Sequence, residues 1–194
     1  MQVLNAGYVN LTEHMGGDDA VIRNARRCWR SEDRSSPEAD KRLIEMLLRK
    51  GHMTPFESMV FTFDVKAPIF VARQWFRHRM GSFNEESLRY CEANREFYVP
   101  SGLSAERAKL WHQDMIVQFE SYKYFVVLGV PKEQARALLP LGLYTKFYWT
   151  VNGSSLINFL RLRTDKAAQV EIRSYAWAIY EQVSKVAPVT FGSL

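Results

Sequence analysis

Residues 56–65 carry the strongest constraint on how this chain folds. Val60, Thr62 and Asp64 alternate with Phe61, Phe63 and Val65. A two-residue period sends the two sets to opposite faces of a strand, so the pattern predicts a half-buried strand over Phe56–Val65. A sheet with one dry and one wet face is therefore required, and apolar elements must cover the dry face. Further strands are expected at 2–11 and at 143–151, the second being rich in Tyr, Phe, Trp and Thr.

The remaining segments read mostly as helices. Ser36 is a suitable N-cap, Pro37 a suitable first position, and Gly51 a suitable terminator for a helix through Leu43, Ile44, Leu47 and Leu48. Pro68 opens a helix through Trp75. Trp111, Met115, Phe119, Tyr122 and Val126 recur at three- and four-residue steps, which predicts a long helix from Ser104 to Leu128. Pro131 begins a short helix that Pro140 ends, and two more are expected at about 154–163 and 167–186. Met80–Asn94 is polar and aperiodic and reads as a long loop. Regular βαβα alternation is missing, so the expected class is α+β, with a small mixed or antiparallel sheet flanked by helices. No repeat or linker divides the 194 residues, which suit one domain over 1–194.

The formal net charge of +5 points to anionic partners, nucleic acid or phosphorylated small molecules, although a mildly basic surface alone accounts for it. Cys28 and Cys91 form no CxxC pair, and His14, His52, His78 and His112 give neither an i,i+4 pair nor HExxH, so neither a disulfide framework nor a metal site is expected. No GxGxxG marks a dinucleotide fold. The N-terminus does not read as a signal peptide, and no apolar stretch approaches the ~18 residues that span a bilayer. The expectation is a soluble, cytoplasmic protein with no membrane partner. Gly16-Gly17-Asp18-Asp19 reads as a turn and helix start, and Arg23, Arg26, Arg27 and Arg30 as a solvated helix face.

Chemistry concentrates between Arg73 and Tyr90. On a helix opened by Pro68, Gln74, Arg77 and His78 share a face. The following loop carries Ser82, Asn84, Glu85, Ser87 and Arg89. Arginines grip phosphate oxygens with paired donors, and Ser, Asn and Glu suit the edges of a ring or a ribose hydroxyl. Two readings stand: a solvated basic helix end with a polar loop, or a site for phosphorylated heterocycles. Arg163 adds to the second, because it continues the apolar stripe Leu156, Phe159, Leu160 and a buried charge needs a partner. That partner is either a carboxylate such as Asp165 or Glu171, or a ligand.

The order of these residues resembles a known signature. Arg77-His78-Arg79, then Ser82, Asn84, Glu85, Ser87, Arg89 and Tyr90, is similar to the RHRxxSxNExSxRY motif of flavin-dependent thymidylate synthases, with all nine specified positions present. Similar segments follow the family order: Gly51-His52 with Thr54-Pro55-Phe56-Glu57, Ala67-Pro68-Ile69-Phe70, Leu139-Pro140, Leu143-Tyr144-Thr145, Trp149-Thr150-Val151-Asn152, and Asn158-Phe159-Leu160 with Arg163. The resemblance covers nearly the whole chain.

It implies a homotetramer with FAD held between subunits. FAD contacts are implied for Thr54, Arg77, His78, Arg79, Glu85, Asn152, Gly153, Ser154 and Asn158. Contacts with dUMP are implied for Gln74, Trp75, Phe76, Arg77, Glu85, Glu86, Ser87, Leu88, Arg89, Arg136 and Arg163. Arg163 is the implied catalytic residue, a guanidinium that stabilises negative charge on the pyrimidine. NADPH and 5,10-methylenetetrahydrofolate are the implied co-substrates. Ser87 is assigned to nucleotide binding and not to nucleophilic attack, because a serine nucleophile needs a positioned base. The chain departs from the family pattern at Ser154, where Arg is common, and at Ala167, where His is common. Those two departures keep open a rival reading as a different flavoprotein or a family member that lost activity; a nucleic-acid-binding module is the other rival, but Glu85, Glu86, Glu92 and Glu96 interleave with the arginines and would repel a phosphate backbone.

Overall fold

The computed structural model describes residues 1–28, 30–31, 33 and 35–194. Its strands are β1 (Gln2–Val3), β2 (Gly7–Met15), β3 (Val60–Pro68), β4 (Ser82–Glu85) and β5 (Tyr144–Asn152). They form one sheet in the order β1-β2-β3-β5-β4, antiparallel throughout. The architecture is α+β, as expected, and of the two sheet types expected, mixed or antiparallel, it is the antiparallel one.

The central strand is the one whose alternation the sequence shows. Phe61, Phe63 and Val65 are fully buried, whereas Val60, Thr62 and Asp64 are half-buried. Phe147, Trp149 and Val151 of β5 share the dry face, and burying each of these large side chains contributes on the order of 2–3 kcal/mol. Helices α1 (Asp18–Arg27), α2 (Pro37–Lys50), α3 (Ile69–Trp75), α6 (Gly153–Arg163), α7 (Val170–Val183) and α8 (Pro188–Gly192) supply the rest of that core. The caps of α2 are those the sequence suggests. Ser36 accepts from Ala39 N at 3.3 Å, and Gly51 closes the helix at φ 69°.

Helix α4 (Ala105–Val127) stands apart. With α5 (Lys132–Ala135) and the preceding loop it encloses a smaller core around Phe97, Phe119, Tyr122 and Leu143. Its outer side is wet yet apolar: Leu110, Val117 and Tyr124 are 57%, 64% and 61% exposed. Among the described residues no helix is long and apolar enough to cross a membrane.

Several expectations change. The strand at 2–11 is two strands, β1 and β2, joined by a turn with Leu4 at φ 58°. Phe56 lies in a 3-10 turn, Thr54–Ser58, and β3 runs from Val60 to Pro68. The polar stretch after Met80 contains β4, a four-residue edge strand paired with β5. Arg26 is not on a solvated face, because it is buried and paired with Asp40, through Nε at 3.0 Å. Burial alone would raise the Asp40 pKa, but the bonds from Ser35 and Arg26 outweigh it and hold the carboxyl low.

Candidate active site

Packing on the dry face sets the site. Trp75, the last residue of α3, is fully buried. Its indole stacks on Phe159 at 5.1 Å and meets Phe147, Trp149 and Tyr175 edge-on. The helix stops there: the amides of Phe76, Arg77 and His78 bond back to Ala72, Gln74 and Trp75. Arg77, His78 and Arg79 therefore leave the core together, on the short segment that joins α3 to β4. Gly81 lets that segment pass close to β5, since a Cβ there would stand 2.7 Å from Trp149 Nε1.

This segment and α6 border a cavity of about 690 Å³, within the usual range for small-molecule sites. Arg77, His78 and Arg79 line one side, and Ser154, Ser155, Asn158 and Arg163 of α6 line another. Trp149, Val151, Leu162 and Met80 add apolar surface. Asn152 caps α6, its Oδ1 accepting from Ser155 N at 2.9 Å, so the first turn of the helix borders the cavity. Gly153 fits only without a side chain: a Cβ would lie 2.5 Å from Phe56 O.

His78 and Arg163 meet inside this lining. Arg163 Nε donates to His78 Nε2 at 3.0 Å. The imidazole also stands edge-on to Phe159, centroids 4.9 Å apart. Burial, and secondly the Arg163 charge, push the His78 pKa down to about 4, so the ring is neutral near pH 7. The carboxylates suggested by sequence as partners of Arg163 are engaged elsewhere. Asp165 Oδ1 accepts from Ala167 N at 2.7 Å, and Glu171 Oε1 accepts from the Tyr98 hydroxyl at 2.6 Å.

A second group of implied residues lies outside this lining. Glu85 ends β4, and its Oε1 accepts from Thr145 Oγ1 at 2.7 Å. The residue as a whole is exposed, yet protein crowds its carboxyl. Burial raises its pKa, the Thr145 bond and Arg136 work against that rise, and Glu86 adds to it. Glu86 bonds both ways to the Lys146 backbone. Ser87 Oγ accepts from Arg89 N at 3.4 Å. Arg89 Nε donates to Glu133 at 3.2 Å, and Arg136 Nε donates to the Glu133 carbonyl at 3.2 Å. Leu88 packs against the smaller core. Tyr8, Asp64, Asn84, Lys146 and Tyr148 border a recess of about 370 Å³ next to Glu85 and Glu86.

The structure thus brings together Arg77, His78, Arg79, Ser154, Asn158 and Arg163, and keeps Glu85, Ser87, Arg89 and Arg136 in another group. Gln74 bonds to Gln169. Thr54 is exposed on its 3-10 turn and outside the cavity lining. Trp75 is fully buried and offers a ligand no side-chain surface. Phe76 packs on Phe83 and Phe147. Sequence reasoning gave Trp149 and Ser155 no role, and both line the cavity. The period of β5 puts Trp149 on the dry face, but nothing local says that this face opens beside it.

The cavity lining suits a phosphorylated ring compound. Three guanidiniums, two hydroxyls and a helix N-terminal turn suit phosphates, the indole and aliphatic surfaces suit a ring, and no carboxylate is among the lining residues.

Comparisons with known proteins agree with this chemistry. The fold matches the crystal structure of a UMP/dUMP methylase from Streptomyces cacaoi bound with 5-Br dUMP, with TM-score 0.90 and 32% identity over 100% of this chain and 96% of that one. The same methylase bound with 5-Br UMP gives TM-score 0.86. Fold and site together define the class, an α+β methyltransferase. A family model described as thymidylate synthase complementing protein matches residues 10–189. Flavin-dependent thymidylate synthases from Thermotoga neapolitana and Thermosipho africanus are 48% and 45% identical, over 97% and 98% of this chain and 91% of each relative. The chain belongs to the flavin-dependent thymidylate synthase family.

Proposed function

We propose that this chain methylates dUMP to dTMP in a homotetramer, with FAD bound in the arginine-lined cavity. The balance is one dUMP, one methylenetetrahydrofolate, one NADPH and one proton giving dTMP, tetrahydrofolate and NADP⁺. The observation that carries this reading is Arg163, a half-buried cation in a cavity lined by two other arginines, its hydrogen bond going to a neutral imidazole.

Arg77, Arg79, Ser154, Ser155 and Asn158 are the groups that hold the flavin nucleotide. The flavin, when bound, supplies hydride chemistry. The chain's own part is positioning and electrostatics. Arg163 stabilises negative charge on the uracil ring, which makes the carbon to be methylated more nucleophilic. Arg89 and Arg136 take the nucleotide phosphate, and Glu85 and Ser87 bond the sugar and base edges.

Two features support assembly. The phosphate-binding arginines lie outside the cavity that holds Arg163, so pairing one chain's cavity with a neighbour's Glu85–Arg136 group would complete a site. The outer side of α4 supplies apolar surface for such a contact. The test is dTMP formation from dUMP with methylenetetrahydrofolate, NADPH and FAD, run beside UMP. Turnover of dUMP in preference to UMP is expected. Absence of dTMP with FAD bound would overturn the reading.

A further inference from the structure

Arg163 is unusual in what it lacks. Burying a guanidinium is costly, and a carboxylate is the common remedy. A carboxylate would cancel the charge that an anionic ligand needs. Here Arg163 Nε donates to an imidazole nitrogen, His78 Nε2, at 3.0 Å, while Asp165 Oδ1 and Glu171 Oε1 accept from other groups. Engaging Nε leaves the terminal Nη1 and Nη2 donors, which form the fork that binds an oxyanion with two parallel bonds.

The imidazole is held as firmly as the arginine. His78 N bonds to Trp75 O at 2.9 Å, which ties it to the most deeply packed aromatic of the core. Phe159, one turn before Arg163 on α6, stands edge-on to the ring. The charged residues that line the cavity with His78 are Arg77 and Arg79 from its own segment and Arg163 from α6, with no carboxylate among the lining residues. Burial first, and then the Arg163 charge, oppose protonation of the imidazole.

We propose that His78 is the positioning residue for Arg163: it fixes the guanidinium through Nε as a neutral acceptor and leaves the full positive charge for the anionic pyrimidine. This deepens the thymidylate synthase reading and rests on it for the identity of the ligand, but the His78–Arg163 arrangement itself does not. Because Nε2 accepts, the proton of the neutral ring sits on Nδ1, the reverse of the tautomer that imidazole prefers in water.

Two measurements test this on the full-length protein. Neutron diffraction from crystals grown near pH 7 locates the protons directly. A proton on Nδ1 and a bare Nε2 facing Arg163 Nε–H are expected; a proton on Nε2, or on both nitrogens, overturns the proposal whether or not the enzyme makes dTMP. The second compares His78→Gln with His78→Glu in the flavin-loaded enzyme. Gln keeps a neutral acceptor near the Nε2 position, so the KM for dUMP should stay within about threefold. Glu keeps the bond but neutralises the cation, so kcat/KM should fall about 100-fold, roughly 2.7 kcal/mol by the conversion of 1.36 kcal/mol per tenfold. Equal kcat/KM for the two variants overturns the proposal. Missing dTMP formation in the wild-type enzyme, with the neutron result as expected, overturns only the functional reading.

Discussion

Thr145 donates its hydroxyl to Glu85 Oε1 at 2.7 Å, tying the end of the edge strand β4 to the start of β5. Thr145 is 4% exposed, so the donor is fixed by packing. The bond is one of the causes that restrain the upward shift of the Glu85 pKa. Replacing Thr145 by Val should raise that pKa further. It should weaken dUMP binding by about 2- to 13-fold, the usual 0.5–1.5 kcal/mol of such a bond. Calorimetric titration of dUMP into the flavin-loaded variant measures this, and unchanged affinity would show that Glu85 needs no such support.

Acid should destabilise the protein through His78. Its pKa is about 4 in the fold against an ordinary 6.5. The unfolded chain therefore binds more protons, so the stability linked to His78 is fully present above about pH 6.5 and is lost as pH falls toward 4. Thermal melts across that window should show a steeper loss for the native sequence than for His78→Gln. Parallel curves would mean that the imidazole titrates normally.

Gly153 begins α6 with no room beside it. An added methyl would stand 2.5 Å from Phe56 O and 2.7 Å from Met59 Cε. Gly153→Ala should cost about 1–3 kcal/mol and lower Tm by several degrees. Displacing the first turn of α6 also moves Ser154 and Ser155 at the cavity, so FAD affinity, read by flavin fluorescence, should fall with it.

Assembly should depend on the outer side of α4. Leu110, Val117 and Tyr124 recur every seven residues, two helical turns, on one stripe. Val117→Asp together with Tyr124→Asp should shift the protein from a tetramer to smaller species in sedimentation and abolish dTMP formation. A wild-type protein that sediments at the chain mass of 22.6 kDa would remove the basis of the shared site.

Both cysteines are free and exposed. Cys91 Sγ donates to Ser87 O at 3.1 Å, which a serine hydroxyl can replace. Cys28→Ser with Cys91→Ser should keep dTMP formation within about twofold, because the exchange touches only two weak, exposed thiol bonds, to Asn24 O and Ser87 O, each of about 0.5 kcal/mol. Complete loss would make a thiolate part of the chemistry.

Much of the fold is legible in the chain because its signals are local. The alternation at 60–65 places β3, and Ser36 and Gly51 bracket α2 through bonds to atoms within five residues. β4 escaped notice because it is four residues long and its polar side chains give no apolar period; its pairing with β5 spans more than sixty residues of chain. Lys66 sits on the wet face of β3 yet is 9% exposed, since Glu96 and the Tyr144 ring close over it.

The residues able to do chemistry, and the strands and helices that carry them, follow from side-chain period, capping and the motif after Arg77, because each of these acts over a few residues. The fold alone decided that Arg163 meets an imidazole and not a carboxylate. It also decided that Trp149 forms part of the cavity lining, and that the two groups of implied nucleotide contacts stand apart within one chain. Those outcomes depend on which distant surfaces come to rest together, and the chain between His78 and Arg163, 85 positions apart, carries no local sign of it.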